Sequence, residues 1–591
     1  MKAKQSVKSY PIYLPAAFRI FLVAFICVVC SAIPSRSFGQ TYPEYPYPQE
    51  VFGNPLGLDW KLSGTFGEPR GNHFHAGTDI KTNGAVGYKL YAVQDGYVAR
   101  IKVSPYGYGN ALYIAHPNGY TSVYGHMSTF NAQIDSIVRH HQYASESFEQ
   151  DIYFDADKIK VKKGDVIGLS GNSGGSAGPH LHFELRESNV QHPINPLLFG
   201  YVVLDNKPPN ISGIKVVSIP DGKSYYDVEG SRLELLKGEN NYYLKDTLWV
   251  DQGKIAIGVH SYDQQTLTTN KNGVFRIEMF VNDESYFKWT MDKTDFDQSR
   301  YVNAFRDFCE IKSQRTIYNC FRLPGNYLDV YEHLVNDGFI QIRPNDVAKV
   351  NIKVYDYHQN KSEVELYVKL KNEPIEPKED TTTTFIAYNK NQNLKRDGFA
   401  AYFPQGTFYD DVNMFYEEQL NNSSTIYSNI HQLHNQFVPL HKSAVIQVTP
   451  IGLPQKYKDK VVLVHKDLKR VEQALTTFWK DDMVTARCKE VGWFYVKIDS
   501  LPPAINVLNF TSGTKTFRGD QIRLKISDNL SGIADYNGYI DGQWVVFEYD
   551  AKRNALTYNF DEFCPKGKHK LKVIVTDDVG NEAVKEIEFI H

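Results

Sequence analysis

Two short segments far apart in this chain, His75-Ala76-Gly77-Thr78-Asp79 and His180-Leu181-His182, carry the residue types of a hydrolytic metal centre. Zinc is a borderline-soft ion that accepts imidazole and carboxylate together, and a catalytic zinc keeps three protein ligands and leaves a fourth position to water. The four candidates His75, Asp79, His180 and His182 supply that need with one to spare. Successive strand side chains point to opposite faces, so His75 and Asp79 would share one face, as would His180 and His182. Two neighbouring strands could then aim all four into one groove. An ion held by two neutral imidazoles and one carboxylate would bring a bound water to a pKa of about 7 and polarise an amide carbonyl. Any further histidine in such a groove is the natural proton shuttle near neutral pH.

The surrounding sequence reads as the antiparallel scaffold such a groove requires. Gly64–Arg70 leads into the His75 segment, and Tyr91–Val98 reads as strand, turn and strand. The turns Gly107-Tyr108-Gly109-Asn110 and Pro117-Asn118-Gly119 introduce two more strands, Ala111–His116 and Thr121–Met127. The polar stretch Asn131–Lys160 is expected to form a helical rim over the groove. Its His140 and His141 lack a spaced carboxylate and read as solvated loop residues. His73 reads as a groove residue, and His116 and His192 as structural.

The ordered set His75-x-x-x-Asp79, Tyr124-Gly125-His126-Met127 and His180-Leu181-His182 resembles the lysostaphin/LytM-type zinc endopeptidases of bacterial cell walls. Gly164–Gly168 and Ser170–Gly174 also match that family's approach to its last motif. The resemblance implies that His75, Asp79 and His182 bind zinc, that His126 and His180 form the catalytic pair, and that the substrate is peptidoglycan peptide. Which histidine moves the proton and which steadies the oxyanion stays open. Met127 stands where leucine is common, and Ser176-Ala177-Gly178 where Ser-Thr-Gly is common.

At 591 residues the chain is too long for one core. Residues 1–39 read as a signal peptide, with Lys2, Lys4, Lys8 and Arg19 ahead of the apolar run Ile20–Cys30. An uncleaved anchor is the alternative. Residues 40–205 are expected to hold the zinc endopeptidase, and 206–371 a β-sandwich module. Residues 385–499 would be a β-rich module of unknown type with some helix near Lys469–Lys480, and 500–591 an immunoglobulin-like module. Two segments, Val350–Leu370 and Leu571–Ile590, repeat a strand, an Asp-x-x-x-Asn turn and a strand, the closing hairpin of a sandwich. That turn suits backbone capping, with calcium binding as the alternative. The fold expected is therefore mainly β. The Pro-rich and Thr-rich joints predict modules that share few contacts.

Net charge is −3 with dispersed basic residues, which gives no reason to expect nucleic acid. Cys309 and Cys320 could close a hairpin-sized disulfide in an oxidising compartment, or stay thiols with Cys488 and Cys564. The expected activity is an exported zinc endopeptidase acting on peptidoglycan, placed in the periplasm, envelope or medium. Its C-terminal sandwich modules are open to envelope protein partners. The competing readings are a catalytically silent scaffold or activator of other wall hydrolases, and a secreted protease acting on proteins.

Overall fold

In the computed structural model, seven strands in line form the sheet that carries the candidate residues. They are β1 (Leu62–Gly64), β2 (Thr78–Lys81), β3 (Gly96–Val103), β4 (Asn110–Ala115), β5 (Tyr120–Met127), β6 (Gln150–Tyr153) and β7 (His180–Glu187), in spatial order β1-β2-β7-β5-β4-β3-β6. Two short strands at its flanks complete a nine-stranded sheet, and a three-stranded sheet lies beside it. The structure describes residues 46–49, 51–238, 241–310, 315–371, 382–511 and 521–591. The expected signal segment and most of the linker 373–384 lie outside the described residues. Among the described residues, no helix is long and apolar enough to cross a membrane.

Strand alternation explains how β7 works. Leu181, Phe183 and Leu185 point to one face and are fully buried in the apolar core, while His180, His182, Glu184 and Arg186 share the other. The insertion after β5 forms α1 (Ala132–Ser145), capped by the Asn131 side chain accepting from Ile134 N. This helix faces the last module: Arg139 and Tyr143 both donate to Asp561, and Tyr143 stacks on Phe563 at 4.3 Å.

The remaining chain is a series of paired antiparallel sheets. Both expected closing hairpins are present, Val347–Tyr355 with Lys361–Leu370 and Lys568–Asp577 with Glu582–Ile590. The last module is two four-stranded sheets around one core. The helix expected near Lys469–Lys480 is instead two strands, Glu472–Leu475 and Thr477–Lys480. Thr476, Thr477, Phe478 and Trp479 favour a pleated surface, and the Asp467 carboxylate caps the preceding turn by accepting from Lys469 N and Val471 N. No disulfide joins Cys309 to Cys320. Cys320 is fully buried in an apolar core, whereas Cys309 is exposed with its Sγ 3.5 Å from Phe437 O.

The expectation of few contacts between modules fails for a definite reason. Phe66 and Phe74, from the segment leading to His75, are buried in the core of the following sandwich, together with Met291, Trp289 and Phe305. Arg306 donates to Pro69 O and Arg70 O, and Gln265 accepts from Leu62 N. The next core runs from Val217 to Val496. Apolar side chains therefore cross the joints, and the loop that carries His75 is held by its neighbour.

Candidate active site

Asp79 on β2 lies directly opposite His182 on β7, whose other neighbour is Gly125 on β5. His75 arrives from the loop before β2, not from a strand shared with Asp79, which corrects the single-strand expectation. Its ring nevertheless meets the others. Asp79 Oδ1 lies 3.0 Å from His75 Nε2 and 3.0 Å from His182 Nδ1, and those two nitrogens are 3.0 Å apart. All three residues are buried.

The outward nitrogens decide what the inward ones can do. His75 Nδ1 donates to Thr65 O at 2.7 Å, and His182 Nε2 donates to Glu184 Oε1 at 2.7 Å. These partners accept only, so they fix the tautomers and leave His75 Nε2 and His182 Nδ1 as lone pairs facing each other and a carboxylate oxygen. Three acceptors converging in a buried site require a cation. Their separations are also close to the roughly 3.3 Å between donors held about 2.0–2.1 Å from a tetrahedral ion. The donor set therefore fits zinc. Asp79 can offer it only Oδ1, because Arg70 holds Oδ2 at 2.5 Å.

Protonation follows the same geometry. In the chain without metal, burial would lower the His182 imidazole, but hydrogen bonds to Asp79 and Glu184 outweigh it and raise it to about 9, so a proton on Nδ1 meets the need for a cation until a metal displaces it. Burial takes His75 the other way, to about 4. Asp79 is held well below the usual carboxylate range despite its burial, because three imidazoles surround it. Glu184 is likewise held down to about 2 against burial by Arg186 and His182.

His126 and His180 stand beside this group. Their rings are 4.8 Å apart in an edge contact, and His126 is 5.8 Å from the His182 ring. His126 Nδ1 donates to Ser173 O at 2.9 Å. His180 Nδ1 donates to Gly178 O at 2.8 Å, and its buried Nε2 lies 3.3 Å from Asp79 Oδ1 without hydrogen-bond alignment. Burial, with His182 and His180 nearby, lowers His126 to about 3. The backbone at His126 is left-handed, φ 58°, where β5 slips register against β4. Such a bulge re-aims a side chain, and it turns this one from the strand's alternation into the groove.

The other histidines lie outside the ligand group. His73 is exposed and donates to Gly71 O. His116 is buried between Asp95 O and Ser122 Oγ. His140 and His141 lie on α1 against each other. His192 faces Glu187 and Asp295.

Glu184, Arg186, Arg70 and Tyr108 were not singled out from sequence. The first two were legible, since alternation from His180 and His182 places both on the same face of β7. Tyr108 stacks on the His182 ring at 4.8 Å. Arg70 gave no spacing signal, because it reaches Asp79 across a turn. Gly64 is required there: a Cβ would lie 2.4 Å from the Arg70 guanidinium and 2.7 Å from Asp79 Oδ2.

A cavity of about 500 Å³ lies next to the site: Ser173, whose carbonyl holds His126, is on its wall, but none of His75, Asp79, His126, His180 and His182 lines it. Its walls include Asn110 of β4, Asn172 and Ser173 of the loop before β7, and Asp550 and Lys552 from the last module. Lys552 Nζ donates to Asn172 O and Ser176 O, so that module touches the loop before β7.

Residues 73–151 and 150–196 match Peptidase family M23, and residues 383–499 match the Zu5-like domain, which gives the unassigned β-rich stretch a type. Peptidoglycan DD-endopeptidase ShyA of Vibrio cholerae is 33% identical over 138 residues, 22% of this chain and 26% of that protein. DD-carboxypeptidase/endopeptidase Mpg of Neisseria meningitidis is 32% identical over 123 residues, 21% of this chain and 22% of that one. The catalytic domain of a prophage-encoded M23 protein from Enterococcus faecalis is 28% identical, with a TM-score of 0.19, covering 24% of this chain and 95% of that chain. The matched regions span about a quarter of the length of the curated relatives. The segment that carries the site is thus an M23 peptidase domain.

Proposed function

We propose that this chain is an exported zinc endopeptidase that hydrolyses peptide cross-links of bacterial peptidoglycan. The observation that carries the reading is the convergence of His75 Nε2, Asp79 Oδ1 and His182 Nδ1, three acceptors within 4.8 Å of one another, beside two further histidines. The M23 match and relatives named as peptidoglycan DD-endopeptidases support the substrate class. The sandwich modules are proposed to meet wall or envelope partners.

Bound by His75, Asp79 and His182, zinc would supply a Lewis acid and a water of pKa about 7. The protein's own groups do the rest. Thr65 O and Glu184 hold the outward N–H of each ligand imidazole, so that His75 Nε2, and His182 Nδ1 once its proton is released to metal binding, face inward as lone pairs; Arg70 restricts Asp79 to one inward oxygen. Ser173 O accepts a hydrogen bond from His126 Nδ1, which fixes the tautomer and leaves Nε2 as the lone pair beside the metal group, the position of a proton acceptor for the bound water. His180, tied at Nδ1 to Gly178 O, presents Nε2 to the same space, beside the position of a developing oxyanion.

Purified sacculi, cross-linked muropeptides and an unstructured protein would each be incubated with the zinc-loaded chain, and the products identified by mass spectrometry. The expected result is soluble muropeptide monomers with free peptide ends and an intact unstructured protein. Cleavage of the protein with sacculi untouched would overturn the substrate assignment.

A further inference from the structure

Outside the catalytic sheet, three aspartates recur at matching chain positions in two sandwich modules, once where each module begins. In the first, Asp205 stands three residues before Pro208-Pro209, Asp263 follows the strand Lys254–Tyr262, and Asp356 opens the turn of the closing hairpin. In the second, Asp499 stands three residues before Pro502-Pro503, Asp528 follows Gln521–Ser527, and Asp577 opens the corresponding turn. The hydrogen bonds agree atom for atom. Asp356 Oδ1 accepts from Asn360 N at 2.8 Å and Oδ2 from its Nδ2 at 2.7 Å; for Asp577 and Asn581 both distances are 2.7 Å. The same asparagine amides reach back to Asp205 O and Asp499 O.

Turn capping explains these bonds but not the remaining oxygens. Asp263 is 4% exposed and its Oδ1 is buried without any hydrogen-bond partner; Asp528 is half-buried, its Oδ2 accepting from Leu530 N and Gly532 N while its Oδ1 is buried and unpartnered. Directly opposite Asp263 across a backbone bridge, where paired side chains share a face, buried Asn272 presents an amide with neither atom partnered. Asp205, Asp263 and Asp356 are each more than nine-tenths buried. The charge of Asp263 interacts most strongly with Asp356 and Asp205. Nearby Lys207 donates to Gln265 O. Burying several carboxylates together is costly unless a cation joins them. The ligating atoms of Asp205, Asp356 and His358 lie within 4.8 Å of one another, as do those of Asp499, Asp528 and Asp577.

We propose that each module binds one calcium ion at its entry, through Asp205 and Asp356 with the unpartnered Asp263 carboxylate completing the site in the first, and through Asp499, Asp528 and Asp577 in the second. The shared donor set is oxygen only, which favours a hard cation; His358 has no counterpart in the second cluster, where Val579 stands. Calcium completes its shell of about 6–8 oxygens with backbone carbonyls, asparagine and water, and extracellular modules bind it with Kd of about 10⁻⁴–10⁻³ M. Because Asp205 and Asp499 belong to the segments joining successive modules, a bound ion would tie each joint to the hairpin turn beneath it.

The test uses the full chain depleted of calcium and titrated with CaCl₂ in a calorimeter, with thermal unfolding followed in parallel. About two ions per chain are expected, with an upward shift of the melting temperature. Asp263→Asn and Asp528→Asn keep side-chain shape, and each should remove one ion while far-UV circular dichroism stays unchanged; the double variant should bind none. Absence of binding at millimolar calcium, a stoichiometry unchanged by both substitutions, or a melting temperature indifferent to calcium would overturn the proposal. Equal affinity for magnesium would overturn the assignment to calcium.

Discussion

Glu184→Gln tests whether the groups behind the ligands set the metal affinity. Glu184 is fully buried, with Oε1 accepting from His182 Nε2 at 2.7 Å and Oε2 from Arg186 Nε at 2.5 Å. A glutamine can keep one acceptor but turns its amide N–H towards either the imidazole N–H or the guanidinium. The imidazole loses the anion that raises its basicity. Removing such a partner typically costs 10–100-fold in metal affinity, about 1.4–2.7 kcal/mol. Breaking a buried pair also leaves Arg186 uncompensated, at about 3–5 kcal/mol of stability. The Arg186 guanidinium still lies 4.6 Å over Phe296 and 5.4 Å over Tyr113, so the lower end is expected. The two effects separate in a cycle with Arg186→Met, because the double variant removes the stranded charge and should recover stability without recovering affinity. Chelator competition at a temperature where circular dichroism shows every variant folded gives the affinity. Zinc bound by folded Glu184→Gln as tightly as by the original chain would refute the reasoning.

Four further outcomes are expected. Asp79→Ala should reduce bound zinc from about one per chain to near none in elemental analysis, since two donors do not close the site and Arg70 is left facing it. His126→Asn should keep the metal and the left-handed backbone, which asparagine tolerates, yet lower muropeptide turnover by roughly 100-fold or more. In the metal-free chain, His182, raised to about 9, contributes stability below about pH 6.5 that is lost as pH rises towards 9. His75 and His126, lowered to about 4 and about 3, make stability fall as pH drops below about 6.5, so denaturant unfolding should show a maximum near that pH. A fragment ending at residue 205 uncovers Phe66 and Phe74; at about 1.5–3 kcal/mol each it should lose roughly 3–6 kcal/mol and melt well below the full chain.

The parts of the site that lie in regular strands were legible, and the parts set by exceptions to regularity were not. His180 and His182 face one groove because β7 alternates without interruption, and the same alternation places Glu184 and Arg186 on that face. His126 came only from a resemblance, because its orientation depends on a bulge and a positive φ that no side-chain period announces. His75 and Arg70 depend on a turn whose shape is fixed from outside: Phe66 and Phe74 on either side of it are buried in the next module, and Arg306 of that module holds the carbonyls of Pro69 and Arg70. The error about independent modules and the miss of Arg70 therefore have one origin, since linker composition reports chain stiffness but not which apolar side chains cross a joint. The same dependence has a mechanistic consequence. A perturbation of the module packed on Phe74, such as Phe305→Ala, should reach Asp79 through Arg70 and weaken metal binding without touching a ligand. Wild-type zinc affinity in a folded Phe305→Ala chain would show that the loop holds its shape alone.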